Sequence, residues 1–307
     1  MHIQRRMAKL RQFGSLLVGA LVLACADSGV EKKVLLIGLD GVRVDVLAQA
    51  ATPTIDSLIA EGTFSDEALT GEPTVSGPSW SSMLIGVWPA KHGVHGNNFE
   101  GNAYDSFPDF LTRLERLDSR YGTLAVLDWP PLGTGASGGP LVSDAVDRKI
   151  NVNGDELGYV AADSVTTRVA AELLEESDVD AAFVYLGNID VVGHETGSLS
   201  DEYRAAIEAA DRQVAALVSA IRRRSTYDRE DWLILMSTDH GRRDDGGHGG
   251  QSIEEQTIFY LAAGPSAVHA TAMTPPRIVD VAVTALAHLG VEIDPTWDLD
   301  GVVVGLR

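Results

Sequence analysis

Several side chains able to bind divalent cations stand just past apolar runs in this sequence. Asp40 closes Lys33–Leu39 (K-V-L-L-I-G-L), Asp190 follows Ala181–Leu186, and Asp239 and His240 follow Trp232–Met236. His194 comes four residues after Asp190 and His248 eight after His240, both beside glycines that let the backbone approach closely. Six Asp and His ligands with one serine oxygen suffice for two hard-to-borderline dications. The serine is Ser76, inside Pro73–Asn97 (P-T-V-S-G-P-S-W-S-S-M-L-I-G-V-W-P-A-K-H-G-V-H-G-N). It precedes Pro78 by two residues, and proline favours the first position of a helix. That places Ser76 near a helix N-terminus, where free N–H groups and the dipole attract negative charge. A plain helix cap would look the same, and an Asp after a strand often only forms a turn. What points to chemistry is that several such strand ends share one sequence. A serine hydroxyl becomes a useful nucleophile when a metal lowers its pKa, and two dications about 4 Å apart can clamp both oxygens of an in-line displacement.

The elements around these residues decide whether they can meet. The apolar runs at 33–39, 122–127, 181–186, 232–236 and 257–262 have the character of strands buried on both faces. Phe64–Leu69 reads as a sixth, short strand. Helical spacing marks Pro53–Glu61, Phe107–Leu117, Ala161–Glu176, Ser200–Arg224 (with Ser200 as cap) and Ile278–His288. Strands alternating with helices predict an α/β fold with a mostly parallel sheet and helices on both faces. Asp40, Asp190 and Asp239-His240 then share the carboxyl edge of the sheet, where α/β proteins build sites. Pro130–Gly158, rich in Gly, Pro and Asp, reads as a long excursion, either a site wall or a surface loop.

The 307 residues are 45% hydrophobic, with mean hydropathy +0.03, ample for one large domain. A formal net charge of −20 argues against a nucleic-acid scaffold that works through a basic face. At the N-terminus, Arg5, Arg6, Lys9 and Arg11 precede the apolar Phe13–Ala24, too short for a comfortable membrane span. V-L-A-C then ends at Cys25, the single cysteine. This predicts a signal over residues 1–24 that resembles a bacterial lipoprotein signal, and a single domain over 25–307. A plain secretory signal is the alternative; either exports the protein, to the cell envelope or the medium. Removing residues 1–24 takes four cations and no acid, from −20 to −24. The membrane is touched only through the lipid anchor, and the oligomeric state is left open.

The ordered motifs G-L-D-G, P-T-x-S-x-P, G-x-x-P-x-x-H-G, D-x-x-G-H, T-D-H-G and H-G-G, from Val34 to Gly249, resemble the alkaline phosphatase superfamily. Within it they are most similar to the type I phosphodiesterase/nucleotide pyrophosphatase branch. T-P-T-I-D-S-L-I-A-E-G resembles the superfamily's first helix. The resemblance implies an alkaline phosphatase-like sandwich with two divalent ions, zinc first and manganese second. It implies Asp40, Ser76, Asp239 and His240 around one ion and Asp190, His194 and His248 around the other. Ser76 stands where that branch has its threonine nucleophile, and Asn97 where it has an asparagine that binds a phosphoryl oxygen. A phosphoseryl intermediate and a small phosphorylated substrate follow. Two departures bear on specificity: His248 sits in the same loop as His240, and Gly77 replaces an aromatic residue that stacks a nucleobase. Trp80 replaces the arginine of the sulfatase motif, against oxidation of Ser76 to formylglycine. The leading expectation is an exported phosphodiesterase. A sulfatase or a phosphonate or phosphomonoester hydrolase on the same fold, and a non-catalytic binding lipoprotein, are the competing ones.

Overall fold

Eight strands build one sheet in the computed structural model, which describes residues 29–271 and 274–307. They are β1 (Glu31–Leu39), β2 (Thr63–Leu69), β3 (Thr123–Leu127), β4 (Arg148–Asn151), β5 (Ala181–Leu186), β6 (Glu230–Ser237), β7 (Thr257–Ala263) and β8 (Ala270–Thr271), in the order β4-β3-β5-β1-β6-β7-β2-β8. All neighbours run parallel except β6–β7 and β2–β7. The apolar runs occupy the middle: β1 pairs with β5 up to Leu39↔Leu186 and with β6 up to Gly38↔Ser237. Those registers bring Asp40, the start of the segment after β5 and Thr238–His240 to one edge.

Alternate side chains of a strand face opposite sides. Val34 and Leu36 join one apolar layer, and Leu35, Ile37 and Leu39 the other. Each buried aliphatic side chain contributes on the order of 2 kcal/mol. Among the described residues, seven helices have eight or more residues: α1 (Pro53–Glu61), α2 (Ser76–Ile85), α3 (Phe110–Leu117), α4 (Tyr159–Glu176), α5 (Asn188–Thr196), α6 (Asp201–Arg222) and α7 (Asp280–His288). Residues of α2, α3 and α7 fill the first layer; those of α1, α4 and α6 fill the second. The sheet is covered on both sides, as its apolar runs require.

The structure differs from the sequence reading in three places. Pro78 is the third residue of α2, not the first; Ser76 opens the helix and Val75 is its N-cap. The Pro130–Gly158 excursion contributes β4, which pairs with β3. The stretch after β5 is the helix α5, although Val191, Val192 and Gly193 are poor helix formers. Ser200 does cap α6, its hydroxyl accepting from the Tyr203 N–H at 3.0 Å. The basic start, the apolar stretch and Cys25 lie outside the described residues. Among the described residues no helix is long and apolar enough to cross a membrane.

Candidate two-metal active site

The fold brings every sequence-predicted ligand to the same sheet edge. Asp40 follows β1, Asp239 and His240 follow β6, and Asp190 and His194 sit four apart on one face of α5. His248 reaches back from the loop after His240. Ser76 arrives on the first turn of α2, one residue past the N-cap Val75, and its hydroxyl bonds His240 rather than the helix backbone. Its Oγ lies 3.3 Å from His240 Nε2. The capping alternative is therefore set aside.

One half of the site is fully buried. His240 Nε2 stands 3.2 Å from Asp239 Oδ2 and 3.8 Å from Asp40 Oδ1. His240 Nδ1 lies 3.0 Å from the Gly241 carbonyl, so it carries the proton and Nε2 presents a lone pair. Asp40 Oδ1 and Asp239 Oδ2 are buried and meet no hydrogen-bond donor among the described residues. Three acceptor atoms, His240 Nε2, Asp40 Oδ1 and Asp239 Oδ2, thus converge beside the Ser76 hydroxyl, and buried oxygens of this kind need a partner. The donor set fits a divalent cation. Burial and the mutual repulsion of the acids push Asp40 well above the ordinary carboxylate range and Asp239 up to about 7. Positive charge is what would relieve both.

The other half opens to solvent. His194 Nε2 lies 3.5 Å from Asp190 Oδ2 and 3.0 Å from His248 Nε2. His248 Nδ1 lies 2.8 Å from the Thr74 carbonyl, fixing the tautomer that aims Nε2 at Asp190. The His194 side chain is 48% exposed and that of His248 10%. The His240 and His248 rings stack at 3.8 Å, joining the two halves. Burial lowers the pKa of all three histidines, which favours the neutral ligand form.

Asn97 lies beside the nucleophile. Its Oδ1 accepts from the Gly77 N–H at 2.7 Å, which occupies the oxygen and leaves the Nδ2 amide as a donor. A side chain at Gly77 would collide with the Gly96 carbonyl at 2.5 Å, so the close approach that seats Asn97 requires glycine.

Two aromatic side chains escaped the sequence reading as partners of Asp40. Trp80 Nε1 and the Tyr185 hydroxyl both donate to Asp40 Oδ2, at 2.9 and 2.6 Å, which leaves Oδ1 facing His240. The sequence signal was a tyrosine inside a buried strand, since a buried Tyr or Trp generally finds a polar partner. Arg242, a cation of the loop that carries His248, is fully buried and bonds Asp190 and the Gly246 carbonyl. Its guanidinium lies against Gly193, where a Cβ would come within 2.8 Å. Arg243 is bound instead to Glu255 and Asp245.

Comparison with known proteins bears on the family and the fold. The model of the type I phosphodiesterase/nucleotide pyrophosphatase family matches residues 34–245. Human ectonucleotide pyrophosphatase/phosphodiesterase family member 7 is 24% identical over 233 residues, 70% of this chain and 49% of its own. The chain spans about half the length of the sequence relatives it matches. Among solved structures, a 2-O GAG sulfatase superposes with a TM-score of 0.70 at 16% identity, covering 89% of this chain and 73% of its own. Murine ectonucleotide pyrophosphatase/phosphodiesterase 5, an inactive variant in complex with AMP, gives 0.66 at 14% identity over 88% of this chain and all of its own. These structures share the alkaline phosphatase-like fold. The chain belongs to the type I phosphodiesterase/nucleotide pyrophosphatase family.

Proposed function

We propose that this chain is a metal-dependent hydrolase of phosphoric diesters that works through a phosphoseryl intermediate at Ser76. The observation that carries the reading is the Ser76 hydroxyl, which opens a helix without capping it and faces His240 Nε2 beside the donor-less oxygens of Asp40 and Asp239. Two divalent ions, held by Asp40, Ser76, Asp239 and His240 and by Asp190, His194 and His248, would supply the charge that lowers the Ser76 pKa and neutralises the phosphoryl oxygens. Zinc suits this carboxylate–imidazole set, with manganese second.

The chain's own residues do the positioning. Ser76 Oγ forms the new P–O bond as the ester P–O bond opposite breaks, and the leaving alcohol takes a proton. Water then cleaves the phosphoseryl ester, releasing a phosphomonoester and restoring the hydroxyl. Asn97 Nδ2 is the donor for a non-bridging oxygen. The two cations of the metal loop are engaged elsewhere, Arg242 with Asp190 and Arg243 with Glu255 and Asp245. A neutral donor matches the single charge of a diester better than the dianion of a monoester. The AMP bound by the murine relative supports a small phosphorylated substrate. Gly77, where the branch stacks a base, argues against strict nucleotide specificity.

The test compares kcat/KM for bis-p-nitrophenyl phosphate, p-nitrophenyl phosphate and p-nitrophenyl sulfate, with and without a chelator, in wild type and Ser76→Ala. The diester should win, chelation should abolish turnover until zinc or manganese is restored, and Ser76→Ala should remove nearly all of it without unfolding the protein. A monoester or sulfate preferred by more than about tenfold, roughly 1.4 kcal/mol, overturns the diester assignment. Near wild-type turnover in Ser76→Ala overturns the nucleophile. Export with a lipid on Cys25 completes the reading, from the basic start and apolar stretch before it. Cys25→Ser should release the protein from membranes, and an unchanged membrane fraction would speak for another anchor or none.

A further inference from the structure

Two buried carboxyl groups stand next to the site and take no part in it as described so far. Asp128 follows β3 at the same sheet edge; it is fully buried, and neither of its oxygens meets a donor among the described residues. Asp163 is buried in α4 and comes together with Asp128 at Gly187. Asp163 Oδ1 also accepts from the backbone N–H groups of Gly187 at 3.1 Å and Asn188 at 3.2 Å. Those amides open α5, the helix that carries Asp190 and His194. The helix has no side-chain cap of its own, because its N-cap is Gly187. A Cβ at Gly187 would lie 3.1 Å from Asp128 Oδ1 and 2.8 Å from the Tyr159 ring, so the junction is packed tightly.

Two carboxylates in contact and away from water repel, whereas one proton between them makes a hydrogen bond. Burial raises both groups, Asp128 well above the ordinary range and Asp163 to about 6. The proton then rests on Asp128, and the charge rests on Asp163, facing a helix N-terminus that favours an anion. Asp40, Tyr159 and Tyr185 face Asp128 from the neighbouring elements, and Gln213 of α6 faces Asp163.

We propose that Asp128 and Asp163 are positioning residues for the second half-site: joined through one shared proton, they anchor the start of α5 and so hold Asp190 and His194 where His248 completes the set. The proposal rests on the two-ion reading for its metal readout only. Asparagine substitutions preserve the contact. In Asp163→Asn the side-chain oxygen still accepts from Gly187 and Asn188 while the amide donates to Asp128; in Asp128→Asn the amide donates to Asp163. Asp163→Leu has similar volume and neither function.

The experiment titrates each metal-stripped protein with zinc by calorimetry and follows amide hydrogen exchange across residues 187–196. Both asparagine variants should keep wild-type exchange and bind the second zinc within about threefold, whereas Asp163→Leu should exchange faster there and lose the second zinc by about tenfold or more, the first ion being retained. Asp163→Leu indistinguishable from wild type, or Asp163→Asn as damaged as Asp163→Leu, overturns the proposal. Wild-type protein that takes up a single zinc overturns the two-ion reading instead, and hydrogen exchange still decides the role of the pair. If Asp163→Leu does not fold, Asp163→Ala, which removes the same acceptor without adding an apolar side chain, is read by the same two measurements and the same criteria.

Discussion

Tyr185→Phe offers a sharp test of how the first half-site is built. The substitution removes one hydroxyl from a ring that is 3% exposed and packs edge-on against Trp80 at 5.1 Å, so the packing is kept. What is lost is a 2.6 Å hydrogen bond to Asp40 Oδ2. A hydrogen bond to a charged group contributes about 1.5–3 kcal/mol. At about 1.4 kcal/mol per factor of ten, that is about 10- to 100-fold in an equilibrium constant. The sign follows from the causes acting on Asp40. Burial, then Asp239 and Asp190, already raise its pKa, while Tyr185 and Trp80 lower it, so losing Tyr185 raises it further. A cation binds the carboxylate and must displace the proton. Zinc affinity in Tyr185→Phe should therefore fall about 10- to 100-fold where Asp40 is protonated, and the deficit should close as pH rises. Competition against a chelator of known affinity, repeated from about pH 6 to about pH 9, measures it. A deficit of constant size across pH would mean that Tyr185 acts through geometry alone, and no deficit would refute its role.

Two further outcomes are expected. Asn97→Ala should lower kcat on the order of 10² with a smaller change in KM, because the donor to the phosphoryl oxygen is lost; steady-state kinetics showing less than a tenfold loss would refute that role. Gly38→Ala would place a Cβ 2.4 Å from the Trp80 ring and force the indole off Asp40. Overpacking of that kind costs about 1–3 kcal/mol, so thermal denaturation should show a clearly lower Tm, and an unchanged Tm would show that the core yields more easily than its contacts imply.

Part of the candidate site was legible because Asp40 and the Asp239-His240 pair lie just past runs whose apolar character fixes them as central strands. Asp40 and Asp239 follow β1 and β6 by sequence alone, and the parallel register does the rest. The helix around Asp190 and His194 was hidden because its support is not local: the acceptor for its first amides is Asp163, 24 residues upstream and on another helix. The four-residue spacing of Asp190 and His194 was the available sign, since it puts both on one helical face. Strand β4 was masked by the glycines and prolines around it, and it forms only because β3 offers an edge. Trp80 and Tyr185 were invisible as partners of Asp40 because their contact joins residues 40 and 145 positions apart.

Arg242 connects the electrostatics of the site to the choice of substrate. On the two-ion reading, the carboxylates of Asp40, Asp190 and Asp239 with a Ser76 alkoxide carry four negative charges, which two dications cancel. Arg242, buried against Asp190, then leaves one positive charge in excess. A phosphodiester brings a single negative charge and closes the balance. A dianionic monoester leaves one negative charge uncompensated beside the carboxylates of the site. Gly193 is what admits the guanidinium, since any Cβ there would sit 2.8 Å from its nitrogens. An arginine in this loop would ordinarily be read as a cation for the substrate's own oxygens. On the proposed function this arginine, turned inward onto Asp190, would set the charge of the site as a whole and leave Asn97 as the neutral contact to the phosphoryl group.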